Sequence, residues 1–426
     1  MDVKISPVPL SGTVKIIPSK SQAHRALICA ALADQPMRIE CEVVSRDIEA
    51  TAACLNMLGA KIRYNQGGYD ITPLKRDRRF GSYPLPCGES GSTFRFLLPI
   101  AAVLRRKASF VLEGQLPERP LSPLYEELAR HGCTLSPQGS IPFTIAGKLT
   151  HGNYSLDASV SSQFISGLLF ALPLLDGDSE IRLTGRVESF PYIELTLAML
   201  ETFGVKADYK DMTFSIPGRQ IYHSSGTVCV EGDWSNAAFW LSSGAIGVNG
   251  VTCTGLDLQS QQGDRMILDI LTRFGARVEL NGSSVTVSGG KLQGIEIDAR
   301  DIPDIVPILA VTASMAMGTT VFRNAGRLRD KESNRLAAVT DVLCSMGADI
   351  RETKDGLLVQ GGATLTGGKV SSWGDHRIAM AAAIAATVCT EPVVIHGAEA
   401  VNKSYPGFFD DLGLLGGMAE RMKGGS

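Results

Sequence analysis

The sequence predicts an α/β protein of two domains, built from six copies of one small subdomain. A glycine recurs along the chain at intervals of 69 to 73 residues. Each glycine follows a stretch rich in Leu, Ala and Met and precedes an alternating stretch such as residues 61–64, which is the order of helix, helix-ending glycine and strand. The 426 residues also exceed one core and suit two domains of about 200 residues each. The recurring glycines are Gly59, Gly132, Gly204, Gly275, Gly347 and Gly416.

The first copy contains each of the expected elements. Its pattern predicts a strand over 14–17, a helix over 21–33 and a second helix over 47–58. The interval exceeds that of the common solenoid repeats, so we expect each copy to be an α/β subdomain with its own sheet.

The fourth copy repeats this order. It predicts a strand over 228–230 and helices over 235–245 and 262–274. If the first strand of the chain pairs with the second half, the N-terminal residues belong to the C-terminal domain and the chain crosses between domains twice. We therefore expect one discontinuous domain and one continuous domain, with a hinge near 18–19 and 227–228. The predicted domains are 1–18 with 228–426, and 19–227.

Composition narrows the classes of function. Apolar residues make up 44% of the chain, charged residues 20%, and the net charge is −3, so nucleic-acid binding is not expected as the main task. No apolar run approaches the roughly 20 residues of a membrane span, and the N-terminus lacks the apolar core of a signal peptide. We therefore expect a cytoplasmic protein.

The cysteines and histidines indicate neither disulfides nor metal. The nine cysteines are scattered and never form Cys-x-x-Cys, and several, including Cys344, lie within apolar stretches. They are expected to be reduced, buried thiols. No pair of the six histidines has metal-ligand spacing, so we expect no bound metal.

When the six copies are aligned on their glycines, polar residues collect at the starts of the long helices. Helix N-termini attract anions through unpaired N–H groups and the positive end of the helix dipole, and a basic residue there adds a full charge. The pattern therefore indicates a ligand that carries several negative charges. These helix starts lie at 45–47, 118–120, 188–192, 263–265, 331–335 and 403–406.

Three of the N-terminal motifs have ordinary structural explanations beside the functional one. Ser21 and Arg25 are four residues apart and share a helix face, but a serine cap with solvated cations explains them equally well. Gly91 lies in a turn that exposes N–H groups to a phosphate or carboxylate, although a capped turn is the alternative. Before the apolar helix predicted over 165–175, capping explains two of the short polar groups at 159–163 but not all of them.

Three further motifs lie in the second half. Lys331 and Arg335 are predicted to share one helix face, with a solvated face as the alternative. Asp304 precedes an apolar helix, for which helix capping is the alternative. The polar residues at 375–377 abut an almost wholly apolar helix predicted over 378–388, as polar groups at the N-terminal end of a helix in a cleft would.

Taken together, these motifs resemble the enolpyruvyl transferases, and most closely the 5-enolpyruvylshikimate-3-phosphate synthases. The resemblance covers the whole chain, and the combination is specific although each motif alone is not. The motifs are Lys20-Ser21 with Arg25, Gly91, Glu118-Arg119-Pro120, Ser161-Ser162-Gln163, Pro191-Tyr192, Ile302-Pro303-Asp304, Lys331-Glu332 with Arg335, Asp375-His376-Arg377 and Lys403-Ser404-Tyr405-Pro406.

The resemblance implies both a fold and a reaction. The fold is a two-domain inside-out α/β barrel of six βαββαβ-type units, three per domain, with the active site in the interdomain cleft. In the reaction, the 5-hydroxyl of shikimate 3-phosphate adds to C2 of phosphoenolpyruvate (PEP), and the tetrahedral intermediate then loses phosphate. The product leads to chorismate and the aromatic amino acids. The resemblance implies no cofactor, a monomer, and domain closure on the substrates.

The same resemblance implies roles for individual residues. The catalytic groups are Lys20, Asp304 and Glu332, with Asp304 orienting and deprotonating the hydroxyl and Glu332, together with Lys20, moving protons at C3. The PEP side consists of Lys20, Gly91, Arg119, Gln163, Arg335, Arg377 and Lys403. The shikimate 3-phosphate side consists of Lys20, Ser21, Arg25, Ser161, Ser162, Gln163, Ser189, Tyr192, Asp304 and Lys331.

Five positions depart from the pattern of the family. Glu89 replaces a frequent Asn, Ser92 a common Thr, Phe96 a Pro of some members, Arg327 an Asn of some branches, and Asn334 the usual Asp. All bear on contacts around the PEP pocket.

Two alternative functions stay open on the sequence. A UDP-N-acetylglucosamine enolpyruvyl transferase would share the fold and the PEP chemistry, but it usually has Lys-Asn where this chain has Lys20 and Ser21, and a loop cysteine after Pro-Gly-Gly. A non-catalytic repeat scaffold for polyanions would require a spread basic surface and a high pI, in contrast to the net charge of −3.

Overall fold

The structure is a computed structural model, and it describes residues 1–75, 84–104 and 107–422. Twelve α-helices and five short 3₁₀ helices lie in these residues. The 3₁₀ helices span Leu116–Glu118, Leu172–Leu174, Gly263–Met266, Gly326–Asp330 and Ala398–Lys403. The α-helices are α1 (Lys20–Leu32), α2 (Arg46–Leu58), α3 (Gly91–Leu104), α4 (Leu124–Arg130), α5 (Ser162–Ala171), α6 (Phe190–Thr202), α7 (Trp234–Ile246), α8 (Ile267–Phe274), α9 (Val306–Met315), α10 (Arg335–Ser345), α11 (His376–Ala386) and α12 (Phe408–Leu414).

The same residues contain twenty-four strands. They are β1 (Asp2–Ser6), β2 (Gly12–Lys15), β3 (Met37–Glu40), β4 (Lys61–Asn65), β5 (Gly68–Thr72), β6 (Pro84–Gly88), β7 (Lys107–Leu112), β8 (Cys133–Leu135), β9 (Phe143–Gly147), β10 (Asn153–Asp157), β11 (Ser179–Thr184), β12 (Asp208–Lys210), β13 (Thr213–Ile216), β14 (Thr227–Cys229), β15 (Val251–Thr254), β16 (Arg277–Asn281), β17 (Ser284–Ser288), β18 (Glu296–Asp298), β19 (Thr319–Arg323), β20 (Asp349–Thr353), β21 (Gly356–Gln360), β22 (Gly368–Ser371), β23 (Val393–His396) and β24 (Met418–Met422).

Within the described ranges the strands form six sheets of four strands, and all six share one topology. In the sheet β10-β11-β13-β12, for example, the first pair is parallel and the other two pairs are antiparallel. The sheets β14-β3-β5-β4, β6-β7-β9-β8, β2-β15-β17-β16, β18-β19-β21-β20 and β22-β23-β1-β24 repeat this pattern. One sheet for each copy confirms the predicted mixed α/β fold of six similar units.

The chain divides into two compact units, each with three of the sheets. The discontinuous unit consists of Met1–Ser19 and Glu231–Ser426, and the continuous unit of Lys20–Val230. In the discontinuous unit, β1 pairs with β23 and β24, and β2 pairs in parallel with β15, so the first residues complete two sheets whose other strands come from the second half.

Apolar helices form the core of each unit. In the discontinuous unit α7, α9 and α11 pack on one another, and every residue of α11 is buried. In the continuous unit α3 packs on α5, and α1 packs on α2 and α6. A helix that is apolar on all sides must be surrounded by protein, so the sheets lie outside these helices, as the term inside-out implies.

The recurring glycines end helices as predicted. All six have positive φ, from 71° at Gly204 to 111° at Gly59. At Gly59 the backbone N–H bonds to the carbonyls of Leu55 and Asn56, which closes the last turn of α2 before β4 begins at Lys61. Residues with a Cβ are strained at such φ, which explains the glycine at each interval.

Several local predictions need correction. The helix predicted over 262–274 begins with a 3₁₀ turn, Gly263–Met266, and becomes α-helical only at Ile267. The helix predicted over 165–175 ends at Ala171 and continues as the 3₁₀ turn Leu172–Leu174. Cys344 is exposed rather than buried, because it lies on the outer face of α10, and Cys229 is exposed as well.

The described residues contain neither a candidate membrane span nor a candidate metal cluster. Among the helices there, none has both the length and the apolar character required to span a bilayer. In the same residues, no group of three or more His, Cys, Asp or Glu side chains is placed to hold a metal ion.

Candidate active site

In the discontinuous unit, Arg335 lies at the centre of a cluster of carboxylates. Its guanidinium donates from Nε to Asp375 Oδ2, from Nη1 to Asp304 Oδ1 and from Nη2 to Glu332 Oε2, each at 2.8 Å. The Arg335 side chain is only 2% exposed. Burial alone would lower its pKa, but the three carboxylates outweigh burial and raise the pKa well above the ordinary arginine value.

Arg377, in α11, also binds the carboxylate of Asp304. Its Nη2 donates to Asp304 Oδ2 at 3.2 Å and its Nη1 to Asn236 Oδ1 at 3.0 Å. Burial raises the pKa of Asp304, but the charges of Arg377 and Arg335 outweigh burial and hold that pKa well below its usual range. Asp304 is therefore ionised at neutral pH.

Glu332 bridges two of the predicted cations. One carboxylate oxygen accepts from Arg335, and the other lies 3.6 Å from Lys403 Nζ. The structure thus brings together five of the predicted site residues in this unit. They are Asp304, Glu332, Arg335, Arg377 and Lys403.

Helix ends hold this cluster in place. Asp375 accepts the Arg377 backbone N–H with Oδ1 and so caps α11, while its Oδ2 binds Arg335 at the start of α10. One carboxylate thereby ties two helix N-termini together. Asp304 does not cap α9, whose N-cap is Ile305, so the capping alternative for Asp304 is wrong.

The predicted pairing of Lys331 and Arg335 on one helix face is also wrong. The helix α10 begins at Arg335, because the Asn334 side chain caps it by accepting the Ala337 backbone N–H at 3.2 Å. Lys331 follows the 3₁₀ helix Gly326–Asp330 instead. Burial and the nearby charge of Arg327 lower the pKa of Lys331 to about 7, against the opposing effect of Asp304.

Asp264 adjoins this cluster and was not among the predicted site residues. The Ser235 hydroxyl, in the first turn of α7, donates a short hydrogen bond to Asp264. Burial and the charge of Asp304 raise the pKa of Asp264 to about 7. The only sequence signal was its place in a helix-start motif at 263–265.

In the continuous unit, Lys20 pairs with a carboxylate of the next helix. Its Nζ lies 2.9 Å from Asp47 Oδ2, and both side chains are largely buried. Because Lys20 begins α1 and Asp47 lies in the first turn of α2, the pair joins two helix starts.

Arg25 crosses from α1 to α6. Its Nε donates to Thr196 Oγ1 at 2.8 Å, its Nη1 to the Ser21 carbonyl at 2.7 Å and its Nη2 to the Tyr192 carbonyl at 2.6 Å. The guanidinium also lies 5.1 Å from the Phe96 ring centroid. The structure therefore brings Ser21, Arg25 and Tyr192 together.

Gly91, Arg119 and Gln163 lie around the start of α3. A Cβ at Gly91 would stand 2.8 Å from Arg119 Nη1, so a larger residue there would displace that guanidinium. Gln163 Nε2 donates to Ser92 Oγ at 3.0 Å, and Gln163 Oε1 accepts from Arg95 Nη1 at 2.7 Å. Arg95 lies four residues after Gly91 in α3 and was not among the predicted site residues.

Three of the four predicted serines lie at two helix starts of this unit. Ser161 caps α5 by accepting the Gln163 backbone N–H, and Ser162 begins the helix and is buried. Ser189 is the N-cap of α6 with a left-handed φ of 55°.

The departures from the family pattern have local roles. Ser92 accepts from Gln163, Phe96 lies against Arg25, and Asn334 caps α10. Arg327 Nη2 donates to the Arg300 carbonyl at 2.9 Å. Glu89 packs near Gly114, where a Cβ would meet its carboxylate.

Comparison with known proteins gives one consistent result. The model of the family "EPSP synthase (3-phosphoshikimate 1-carboxyvinyltransferase)" matches residues 5–412. A 3-phosphoshikimate 1-carboxyvinyltransferase of Clostridium kluyveri is 46% identical over 420 residues, covering 97% of each chain, and one of Clostridium acetobutylicum is 44% identical over 421 residues, also covering 97% of each. A solved EPSP synthase from Acinetobacter baumannii superposes with a TM-score of 0.81 at 25% identity, covering 99% of this chain and 100% of that one. This chain belongs to the EPSP synthase (3-phosphoshikimate 1-carboxyvinyltransferase) family.

Proposed function

We propose that this chain transfers the enolpyruvyl group of PEP to the 5-hydroxyl of shikimate 3-phosphate. The products are 5-enolpyruvylshikimate 3-phosphate and inorganic phosphate, in aromatic amino acid biosynthesis. Membership of the family carries the proposal, together with relatives of this name that match nearly the full length. The chain is accordingly a transferase that acts without a metal or cofactor, as a cytoplasmic monomer.

The lysine and arginine side chains supply the positive charge that two anionic substrates require. Both substrates are anions that repel one another, so a site that joins them must provide positive charge in a water-poor setting. Arg335 and Arg377 are buried in one unit, and Lys20 is largely buried in the other. In this proposal the PEP carboxylate and phosphate bind Lys20, Arg119, Arg335, Arg377 and Lys403, with Gly91 and Gln163 beside them.

The shikimate 3-phosphate side combines hydroxyls with fewer cations. Serine hydroxyls and the N–H groups of helix N-termini can donate hydrogen bonds to a phosphate without adding a charged side chain. Ser161 and Ser162 lie together at the start of α5, which supports a phosphate site there. The residues of this side are Lys20, Ser21, Arg25, Ser161, Ser162, Gln163, Ser189, Tyr192, Asp304 and Lys331.

Asp304 orients and deprotonates the 5-hydroxyl. Its low pKa makes it a weak base while Arg335 and Arg377 hold both carboxylate oxygens. Substrate anions that bind these guanidiniums draw the hydrogen bonds away from Asp304, and this raises the basicity of the carboxylate. Asp304 thus becomes an effective base when both ligands are bound.

Glu332 and Lys20 move the proton at C3 of PEP. Glu332 lies between Arg335 and Lys403, so its carboxylate is oriented by two cations that also serve the substrate. A carboxylate and an ammonium can exchange the proton that C3 gains on addition and loses on elimination. Closure of the two domains over the substrates expels water from this chemistry.

Phosphate release tests the proposed function directly. The protein is mixed with PEP and either shikimate 3-phosphate or UDP-N-acetylglucosamine, and inorganic phosphate is measured over time. We expect release only with shikimate 3-phosphate. Release only with the UDP-sugar would establish the sister activity, and release with neither would overturn the proposal.

A further inference from the structure

Arg95 lies in α3, four residues after Gly91, and contacts two other segments of the continuous unit. Its side chain is nearly buried, with 4% of the residue exposed. The guanidinium donates from Nη1 to Gln163 Oε1 at 2.7 Å and from Nη2 to the Pro120 carbonyl at 2.9 Å. It also lies 5.4 Å from the Phe164 ring centroid. Arg95 therefore ties α3 to α5 and to the chain that follows Arg119.

The contact with Gln163 sets the polarity of that amide. An amide that turned over would place its NH₂ group against the guanidinium, donor against donor. With the oxygen held by Arg95, the nitrogen faces Ser92, and the bond to Ser92 Oγ at 3.0 Å uses one of the two N–H groups. The amide then has a donor for an anion, whereas the opposite orientation would present an oxygen that repels one.

The contact with Pro120 acts on the neighbouring cation. Pro120 follows Arg119 directly, and the Arg119 guanidinium fits against Gly91 so closely that a Cβ there would stand 2.8 Å from Nη1. Anchoring the Pro120 carbonyl limits how far the backbone of Arg119 can move relative to α3. A bidentate contact of this kind requires the planar fork of arginine, which lysine lacks.

We propose that Arg95 is a positioning residue for PEP: it presents the N–H of Gln163 and fixes Arg119 beside Gly91, without touching the substrate itself. The inference rests on the proposed function, because that function assigns Gly91, Arg119 and Gln163 to the PEP side. Arg95 lies outside that set and acts through its members.

The kinetic test replaces Arg95 with Met and with Lys. Arg95→Met removes every donor, and we expect the KM for PEP to rise at least tenfold. The Kd of shikimate 3-phosphate alone should rise less, because that ligand depends on Gln163 but not on Gly91 or Arg119 in the proposed site. Arg95→Lys keeps the buried charge but cannot span both acceptors, so an intermediate rise is expected. If the Met variant does not fold, the KM for PEP of the Lys variant decides the test. Arg38→Met, which removes a partly exposed arginine of the same unit, should leave the KM for PEP unchanged.

A double-mutant cycle separates positioning from general stability. Gln163→Leu should raise the KM for PEP strongly in the wild-type background and much less in the Arg95→Met background, because the amide is already misdirected there. Effects that multiply independently would overturn the proposal. So would an unchanged KM for PEP in both Arg95 variants.

A spectroscopic readout does not depend on turnover. The side-chain amide signals of Gln163, assigned in ¹⁵N-glutamine-labelled protein by their loss in Gln163→Leu, should shift and broaden in Arg95→Met. Unchanged signals would contradict the positioning role. Failure of the wild type to release phosphate would instead remove the proposed function and leave this structural result standing.

Discussion

Glu332 is the single residue on which the proposed proton transfer depends most. It lies between Arg335 Nη2 at 2.8 Å and Lys403 Nζ at 3.6 Å. Glu332→Gln keeps the size of the side chain but removes its ability to carry a proton. We expect kcat to fall by about 10²- to 10⁴-fold, the usual contribution of a general acid or base. Steady-state phosphate release measures kcat, and calorimetry measures the Kd of shikimate 3-phosphate, which should change little.

The matched comparison is Asp304→Asn, which alters the second carboxylate of the cluster. Both variants should lose turnover, but only Asp304→Asn should also weaken shikimate 3-phosphate, because Asp304 belongs to that side of the proposed site. If Glu332→Gln turns over at the wild-type rate, Glu332 has no part in the chemistry.

His24 makes the stability of the continuous unit depend on pH. Burial lowers its pKa to about 3, and its Nδ1 lies 2.7 Å from Thr51 Oγ1. The unfolded chain takes up a proton on this histidine below about pH 6.5 while the folded chain does not, so stability falls as the pH falls. Between pH 7 and 5 this costs about 2 kcal/mol. In urea unfolding, His24→Gln should lose less stability than the wild type over this range.

Thr51→Val provides the control for that measurement. It removes the hydroxyl partner but leaves the imidazole buried, so the protein should be less stable at every pH with the wild-type slope. An identical slope in His24→Gln and the wild type would show that His24 is not held neutral in the folded state.

Residue identity was more predictable from sequence than residue partnership. The motifs named Asp304, Glu332 and Arg335, but their pairing requires α9 and α10 to lie side by side, which no local pattern encodes. Lys331 was misplaced because Asn334 was interpreted as a helix residue rather than as the cap. Arg95 was not predicted as a site residue because its partner Gln163 comes near it only when α5 packs on α3.

At the scale of elements, the helix-ending glycines differ in how much space surrounds them. Gly275 and Gly416 both have positive φ, 104° and 87°. A Cβ at Gly275 would stand 2.6 Å from the Lys291 carbonyl oxygen, whereas nothing lies within 4 Å of one at Gly416. Gly416→Ala should therefore cost only the backbone strain of about 1–2 kcal/mol, and Gly275→Ala clearly more. Urea unfolding of the two variants measures the difference.

Equal losses for the two alanine variants would contradict the close approach at Gly275. The comparison needs no active enzyme, so it tests the repeat architecture independently of function. It also tests whether the cost of alanine at the recurring glycines depends on the atoms around each glycine, since all six share positive φ.

Helices and strands were predictable where the local pattern was strong, and less so at their ends. The strand at 61–64 and the helix at 47–58 were found within a residue or two as β4 and α2. The 3₁₀ turn Gly263–Met266 before α8 was missed because a 3₁₀ turn at the N-terminus of an α-helix has no sequence pattern of its own. Helix starts depend on caps such as Asn334 and Asp375, whose partners are backbone groups a few residues away.

For the whole molecule, the repeat count followed from glycine spacing alone, but the membership of the sheets did not. Strand β14 joins β3 from nearly half the chain length away, and β1 joins β23 across most of the chain length. Such pairings depend on how distant strands fit together in the folded protein, and no local sequence pattern records that fit. The mixed α/β fold of six units could therefore be predicted from period and alternation, whereas the chain segments that complete each sheet could not.

The proposal makes cations from both units contribute to one ligand. Arg119 lies in the continuous unit and Lys403 in the discontinuous unit. Arg119→Met and Lys403→Met should each raise the KM for PEP by about tenfold or more, since a charge-assisted contact contributes roughly 1.5–3 kcal/mol. Steady-state kinetics at saturating shikimate 3-phosphate measures both. An effect confined to one unit would show that only this unit binds PEP.

A crystal structure of the Glu332→Gln variant with shikimate 3-phosphate and PEP bound tests the central claim most directly. We predict that Lys20, Arg119, Arg335, Arg377 and Lys403 all lie within about 3.2 Å of anionic oxygens of the ligands. Cations of the two units that face separate surfaces, with ligands bound by one unit alone, would contradict the account.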